Sequence, residues 1–205
     1  MNLHGETSAN EPDLIRHALQ GNGAAWEVLV RSHQEPVFRL AYLLLGDADE
    51  AEDATQETFI RAYRSLERFD LARPLRPWLL SIAANLARNR RRSMGRYFAA
   101  LQRLLVSEPG SRASIEEKSF QNLEAQLLWQ ALRRLGQTDQ QVVYLRYFLN
   151  MSIEETAETM HIAQGTVKSR LHRAMDRLRA IIERDFPGLR EAGFEGAAFQ
   201  EGSDE

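Results

Sequence analysis

The chain has 205 residues, 43% hydrophobic and 27% charged, which places it among globular proteins built as one ordinary domain or two small ones. It contains no cysteine, so disulfides, thiolate zinc sites and thiol redox chemistry are excluded for these residues. A net charge of −3 argues against nucleic acid only on average, because the charges are segregated along the chain. Residues 40–60 carry Asp47, Asp49, Glu50, Glu52, Asp53 and Glu57 with no Lys or Arg; residues 71–107 carry Arg73, Arg76, Arg88, Arg90, Arg91, Arg92, Arg96 and Arg103 with no acid. The N-terminus lacks a basic segment followed by an apolar core, so no signal peptide is expected. The apolar run at 40–45 falls far short of the roughly 20 residues of a membrane helix. A cytoplasmic protein without membrane insertion is the expectation.

In chain order, almost every periodic segment has helical spacing, and no alternating strand stands out. Residues 1–12 are polar and end in Pro12, the pattern of a loose tail. Asp13 is a plausible N-cap for a helix with Leu14, Ile15, Ala18 and Leu19 on one face, ending at Gly21. A second helical stretch carries Trp26, Leu29, Val30, Val37, Phe38, Ala41, Leu44 and Leu45 and stops at Gly46. The third, about 49–69, turns Ala54, Phe59, Ala62, Tyr63 and Leu66 inward. Pro77 suits the first turn of a fourth helix, which buries Leu79, Ile82, Ala83 and Leu86 and places Trp78, Ser81, Asn85, Arg88 and Arg92 on another stripe. The pattern weakens after Met94, and residues 107–114 have linker composition. Helical periodicity returns at 124–135 and 140–149.

Residues 152–173 then read as a helix-turn-helix. Ser152 and Glu155 form a capping box, Ala157 permits close helix crossing, and the turn falls near His161 and Ile162. In the second helix Val167, Leu171, Ala174 and Leu178 face the core, which leaves Lys168, Ser169, His172 and Arg173 outward as donors for base edges and phosphates. Arg170 and Arg177 flank that face, where phosphate contact is expected. The tail from residue 187 is Gly-rich and acidic and is expected to be disordered. The expected fold is all-α: a tail at 1–12, a helical domain at 13–96, a flexible linker at 97–122, a helix-turn-helix domain at 123–186 and an acidic tail at 187–205.

Gly165-Thr-Val-Lys-Ser-Arg-Leu-His-Arg-Ala resembles the recognition helix of region 4 in bacterial sigma factors of the extracytoplasmic-function group. The resemblance implies that Gln164, Thr166, Lys168, Ser169, Arg170, His172 and Arg173 read the promoter −35 duplex. His161 stands where the family commonly has glycine, and Ala163 where a capping Ser or Pro is usual. His tolerates a left-handed backbone better than most residues, so the turn is expected to survive.

Asp49-Glu-Ala-Glu-Asp-Ala-Thr-Gln-Glu-Thr-Phe resembles region 2.2 of the same family, which implies docking on core RNA polymerase through Asp49, Glu50, Asp53, Gln56, Glu57 and Phe59. Acids in a first helical turn also complement the helix dipole, but that does not explain six acids with no base among them. Pro77-Trp-Leu-Leu-Ser-Ile-Ala-Ala-Asn resembles regions 2.3 to 2.4, which implies capture of melted −10 DNA by Arg73, Arg76, Trp78, Asn85, Arg88, Asn89 and Arg92. A freed strand needs a basic track and a pocket or platform for an extruded base. Arg88 and Arg92 would supply the track and Asn85 a base-pairing amide; Trp78 suits a core anchor equally well.

No cofactor or metal is expected. Glu52 stands where an EF-hand loop needs glycine, and Glu158 with His161 lacks the second copy of a di-iron site. The reading is a non-catalytic transcription initiation factor whose partners are core RNA polymerase, promoter DNA and a dedicated anti-sigma factor. Control by the acidic tail, through Glu191, Glu195, Glu201, Asp204 and Glu205, is the alternative to that inhibitor. The rival functions are a stand-alone helix-turn-helix regulator, which would dimerise, and a helical nucleic-acid enzyme, which would need carboxylates beside the arginines.

Overall fold

The computed structural model describes residues 11–104, 123–186 and Leu189, with side chains assigned at 11–93, 125–186 and 189. Among the described residues every regular element is helical. The N-terminal half comprises α1 (Glu11–Leu19), α2 (Gly23–Leu45), α3 (Ala48–Ser65), a 3-10 turn (Leu66–Arg68) and α4 (Leu75–Leu104). The C-terminal half comprises α5 (Leu123–Arg133), α6 (Gln137–Val143), a π-helical turn (Tyr144–Phe148), α7 (Ile153–Met160) and α8 (Gln164–Asp185).

Local chemistry sets the boundaries. Asn22 caps α2 by accepting the Ala25 N–H, and Gly46, left-handed at φ 77°, closes it by donating to the Tyr42 carbonyl. Asp47 caps α3 by accepting the Glu50 N–H. Ser152 Oγ accepts the Glu155 N–H (3.0 Å) while Glu155 Oε2 accepts the Ser152 N–H (2.7 Å), so the capping box at the start of α7 is complete. His161 ends α7 in the left-handed region at φ 54°, ψ 47°, so the helix-turn-helix closes without a glycine.

The start of the chain departs from expectation. Glu11 belongs to α1 and not to a tail, and Asp13 pairs with Arg16 instead of capping. The reason is tertiary: Glu11 Oε2 accepts from His33 Nε2 on α2 (3.0 Å), and Oε1 accepts the Leu75 N–H at the start of α4 (3.2 Å). One carboxylate thus ties three helices. At the other end, α4 runs eight residues into the stretch expected to be linker; 105–122 lies outside the described residues. The expected tail at 187–205 also lies outside them, except Leu189, which is buried with Phe186 at the end of the C-terminal core.

The two halves share one apolar cluster, in which Leu29, Leu79 and Ala83 join Val142, Met151, Val167 and Leu178. The junction is α7 against α4. Leu80, Ala84 and Ala87, which the expected amphipathic pattern leaves out of the core, are 0–2% exposed because they lie on the second covered face of α4. Tyr63, expected inside, is 48% exposed, since its ring rides on the edge of Trp26 at 5.2 Å.

Burial of Glu11 works to raise its pKa, but the hydrogen bonds from His33 and the Leu75 N–H outweigh it and hold the carboxyl below 4.5. Its contribution to stability is therefore present above its ordinary pKa and lost as pH falls through the folded value. Glu11→Gln is expected to lower stability by about 1–2 kcal/mol near neutrality, with the deficit shrinking below about pH 4, measured by urea unfolding at both pH values.

Candidate nucleic-acid interface

On α8, burial of Val167, Ala174 and Leu178, with Leu171 half-buried, fixes the rotation of the helix. Gln164, Lys168, Ser169, His172 and Arg173 are consequently exposed, with Thr166 and Arg170 half-buried at the margins. Arg173 Nε donates to the Ser169 carbonyl (3.1 Å), which lays the guanidinium along the helix toward its N-terminal half. His172 Nε2 lies 3.5 Å from Asp176. Ala163 offers no side-chain cap, so the first amides of α8 have no side-chain acceptor. Arg177 does not flank this face as expected: it pairs with Asp139, whose side chain is only 10% exposed at the start of α6. A carboxylate that poorly hydrated needs a cation, and Arg177 supplies it.

The residues expected to meet melted DNA divide into two sets. Asn85, Asn89 and Arg92 are exposed on one stripe of α4, at steps of four and three. Arg73, Arg76 and Arg88 point elsewhere. Arg76 Nη2 donates to the Leu149 carbonyl (2.7 Å), Arg73, 63% exposed, has its Nε 3.6 Å from Asp70 of its own loop and 3.9 Å from Glu158, and Arg88 lines a small cleft with Gln137 and Gln141. Arg91 Nη1 joins them by donating to Gln140 Oε1 (2.9 Å). Trp78 is half-buried against Phe69, ring centroids 4.8 Å apart, which anchors the start of α4. Ser81 leaves the expected stripe because it is buried and its hydroxyl donates to the Trp78 carbonyl.

On α3, Asp49, Asp53 and Gln56 are exposed and Glu50 and Glu57 half-buried. The acids are not without a base, as the one-dimensional pattern implies. Arg90 of α4 reaches Glu50 at 2.9 Å and Asp53 at 3.8 Å, and Arg61 reaches Glu57 at 2.6 Å. The Arg61 hydrogen bond holds the Glu57 carboxyl below its ordinary value. Phe59 is corrected outright: it is 8% exposed, packed edge-on to Trp26, and presents no surface to a partner. Ile60 and Tyr63 were missed. Both are nearly half exposed, and with Asp49, Asp53 and Gln56 they form one stripe at steps of four and three. Continuing the helical period past the acids would have found them.

Among the described residues no cluster of His, Asp and Glu could hold a metal, and no helix is long and apolar enough to cross a membrane.

Residues 29–97 match the family Sigma-70 region 2, and residues 125–178 match Sigma-70, region 4. The chain is 32% identical to the ECF RNA polymerase sigma factor SigW of Bacillus subtilis, over 80% of this chain and 92% of that protein. It is 34% identical to the ECF RNA polymerase sigma factor SigL of Mycobacterium tuberculosis, over 82% and 95%. Among solved structures it resembles CnrH in complex with the cytosolic domain of CnrY, with a TM-score of 0.63 and 25% identity over 85% of this chain and 98% of that one. It also resembles the sigma factor RpoE of Bartonella quintana in complex with the anti-sigma factor NepR, with a TM-score of 0.58 and 25% identity over 77% and 94%. The chain belongs to the extracytoplasmic-function group of the sigma-70 family. It is a transcription initiation factor that binds core RNA polymerase and directs it to promoters; a regulator working without polymerase is not favoured, because the N-terminal half is itself a sigma region.

The Arg177 assignment separates fold from recognition. Arg177→Ala is expected to lower stability by about 1–2 kcal/mol, because it strands Asp139 beside a half-exposed partner site. Arg173→Ala is expected to shift stability by less than about 0.5 kcal/mol while weakening −35 binding. Thermal unfolding and duplex binding, measured on both variants, check the contrast.

Proposed function

We propose that the division of labour follows the three exposed stripes. The stripe on α8, Gln164, Thr166, Lys168, Ser169, Arg170, His172 and Arg173, reads the −35 duplex from the major groove. The stripe Asn85, Asn89 and Arg92 on α4 meets melted −10 DNA, with Arg73, Arg76 and Arg88 added once they leave their protein partners. Asp49, Asp53, Gln56, Ile60 and Tyr63 dock on core polymerase, with Glu50 and Glu57 at the margin and Phe59 supporting from below. The observation that carries this reading is that Asn85, Asn89 and Arg92 remain exposed on a helix otherwise covered on two faces. An amide flanked by cations suits a base edge held on a phosphate track.

The chain itself catalyses nothing in this reading; opening is driven by binding energy released only where both elements match. It works in the cytoplasm, on the nucleoid when part of holoenzyme. Its proposed regulator is a separate protein inhibitor, supported by the resemblance to an RpoE solved with the anti-sigma factor NepR. Control by the acidic tail falls on residues outside the described structure.

Two measurements test the assignment. Asp53→Lys and Tyr63→Ala are each expected to weaken core binding about tenfold or more with the melting temperature nearly unchanged, whereas Phe59→Ala is expected to cost about 3–5 kcal/mol of stability. Unchanged core affinity in both surface variants would remove α3 from the interface. Lys168→Ala and Arg173→Ala are expected to cost about 1–3 kcal/mol on a −35 duplex, or to reduce its salt dependence if the contact is to phosphate. Asn85→Ala and Arg92→Ala should leave that duplex affinity alone and impair strand opening, read by a fluorescent base at −10.

A further inference from the structure

Arg88, Arg90 and Arg91 meet different fates on α4. Arg90 turns to α3 and is neutralised by Glu50 at 2.9 Å and Asp53 at 3.8 Å. Arg88 and Arg91 turn instead into a cleft floored by Leu44 of α2 with Ala84 and Ala87 of α4, and walled by Gln137 and Gln141 of α6. No acid lines it. Arg91 Nη1 donates to Gln140 Oε1 at 2.9 Å and has no carboxylate partner among the described residues. Arg88 has neither an ion pair nor a hydrogen bond among them. Both side chains are half-buried, and residues three apart are neighbours on a helix, so two like charges face one apolar floor. Such a pair is unfavourable until an anion meets it.

Gln141 is an independent sign of a ligand. It is 5% exposed and lines the cleft, yet its side-chain amide has no hydrogen-bond partner among the described residues. Its neighbour Gln140, 1% exposed, shows the ordinary outcome: the amide donates to the Arg133 and Leu135 carbonyls and the oxygen accepts from Arg91. A buried amide left unbonded is unfavourable, and a ligand with acceptor oxygens would satisfy it. The cleft encloses about 260 Å³ up to and including its open side, against ~30 Å³ for one water molecule. A phosphate group fits in that space with the rest of its molecule outside.

We propose that the cleft between α2, α4 and α6 binds phosphate, free or as the terminal group of a small soluble molecule, with Arg88, Arg91 and Gln141 donating to its oxygens. Guanidinium forks and an amide supply donors only, which suits a tetrahedral oxyanion and rejects a cation. A terminal phosphate carries nearly two negative charges near neutrality, matching two arginines, and extends its molecule in one direction. A phosphate within a DNA strand carries one charge and must continue in two directions past three helical walls. The ligand touches both sigma regions at once, so its binding energy adds to the stability of the folded chain. The site is independent of the assignment of the three stripes to DNA and polymerase.

The full-length protein is titrated with inorganic phosphate at ionic strength held constant with chloride, by calorimetry and by thermal unfolding. A single phosphate per chain is expected to bind saturably and to raise the melting temperature. Phosphate also stabilises proteins generally by exclusion from their surfaces, so the variants decide. Arg88→Gln and Gln141→Leu are each expected to weaken phosphate binding about tenfold or more, since each removes a donor to a charged group. In chloride alone, Arg88→Gln is expected to melt no earlier than the parent chain, because it removes one of two like charges. Earlier melting there would mean that the protein already satisfies Arg88, against the proposal. A nucleoside 5′-monophosphate is expected to compete with inorganic phosphate. Binding that does not saturate, or an equal phosphate response in the parent and both variants, would overturn the site. Stronger competition from oligothymidylate without terminal phosphates than from the monophosphate would assign the cleft to a DNA strand and overturn the small-ligand source.

Discussion

Helix α4 must satisfy three environments on one cylinder, and the rest of the structure is arranged around that constraint. Leu75, Leu79, Ala83 and Leu86 recur at steps of four and three and fill the bundle formed with α1, α2 and α3. Leu80, Ala84 and Ala87, about 100° further round, admit α7 and α6 at close range because two of the three side chains are single methyl groups. The remaining sector holds Asn85, Asn89 and Arg92 in solvent. An acid on either covered face would be desolvated without a partner, and residues 71–107 carry none.

The start of α4 is held as firmly as its faces. Pro77 is buried in the first turn, Trp78 packs on Phe69, and the first amide is met by Glu11 from 64 residues away. The loop that precedes α4 is thereby joined at its downstream end to α1 and α2. The carboxylate does this because His33 and the Leu75 N–H together outweigh its desolvation.

The C-terminal half solves a different problem with buried polar groups. Gln140 is 1% exposed, yet its amide donates to the Arg133 and Leu135 carbonyls while its oxygen accepts from Arg91. Asp139 beside it is neutralised by Arg177. These bonds satisfy the groups near the α5 to α6 turn and hold the platform on which α8 rests. Below them Trp129, Tyr144 and Phe148 stack and meet edge-on, and burial pushes the Tyr144 hydroxyl up to about 12, so the ring stays neutral at any physiological pH. The motif tolerates His161 at the turn and Ala163 at the cap because this support, and the capping box at Ser152, do not depend on either residue.

By itself the sequence determined what repeats locally. Helical periods, the Ser152 capping box, the glycine stops at 21 and 46, the outward set on α8 and the exposure of Asn85 and Arg92 were all legible, because each depends on neighbours within one or two turns; Trp78, Ser81 and Arg88 of the same expected stripe were not. The family was legible for the same reason, since its motifs are short and contiguous. Tertiary structure alone decided what depends on distant partners. Phe59 and Tyr63 are four residues apart and both pack on Trp26, yet Phe59 lies within the bundle core at 8% exposure while Tyr63 is 48% exposed. Arg177 reads as a surface cation until Asp139 folds beneath it, and Glu11 reads as tail until α2 and α4 bring His33 and Leu75 to it. The second covered face of α4 was invisible for the deepest reason: alanines at helical spacing are equally suited to solvent and to close packing, and only the packing of the C-terminal half selects between them.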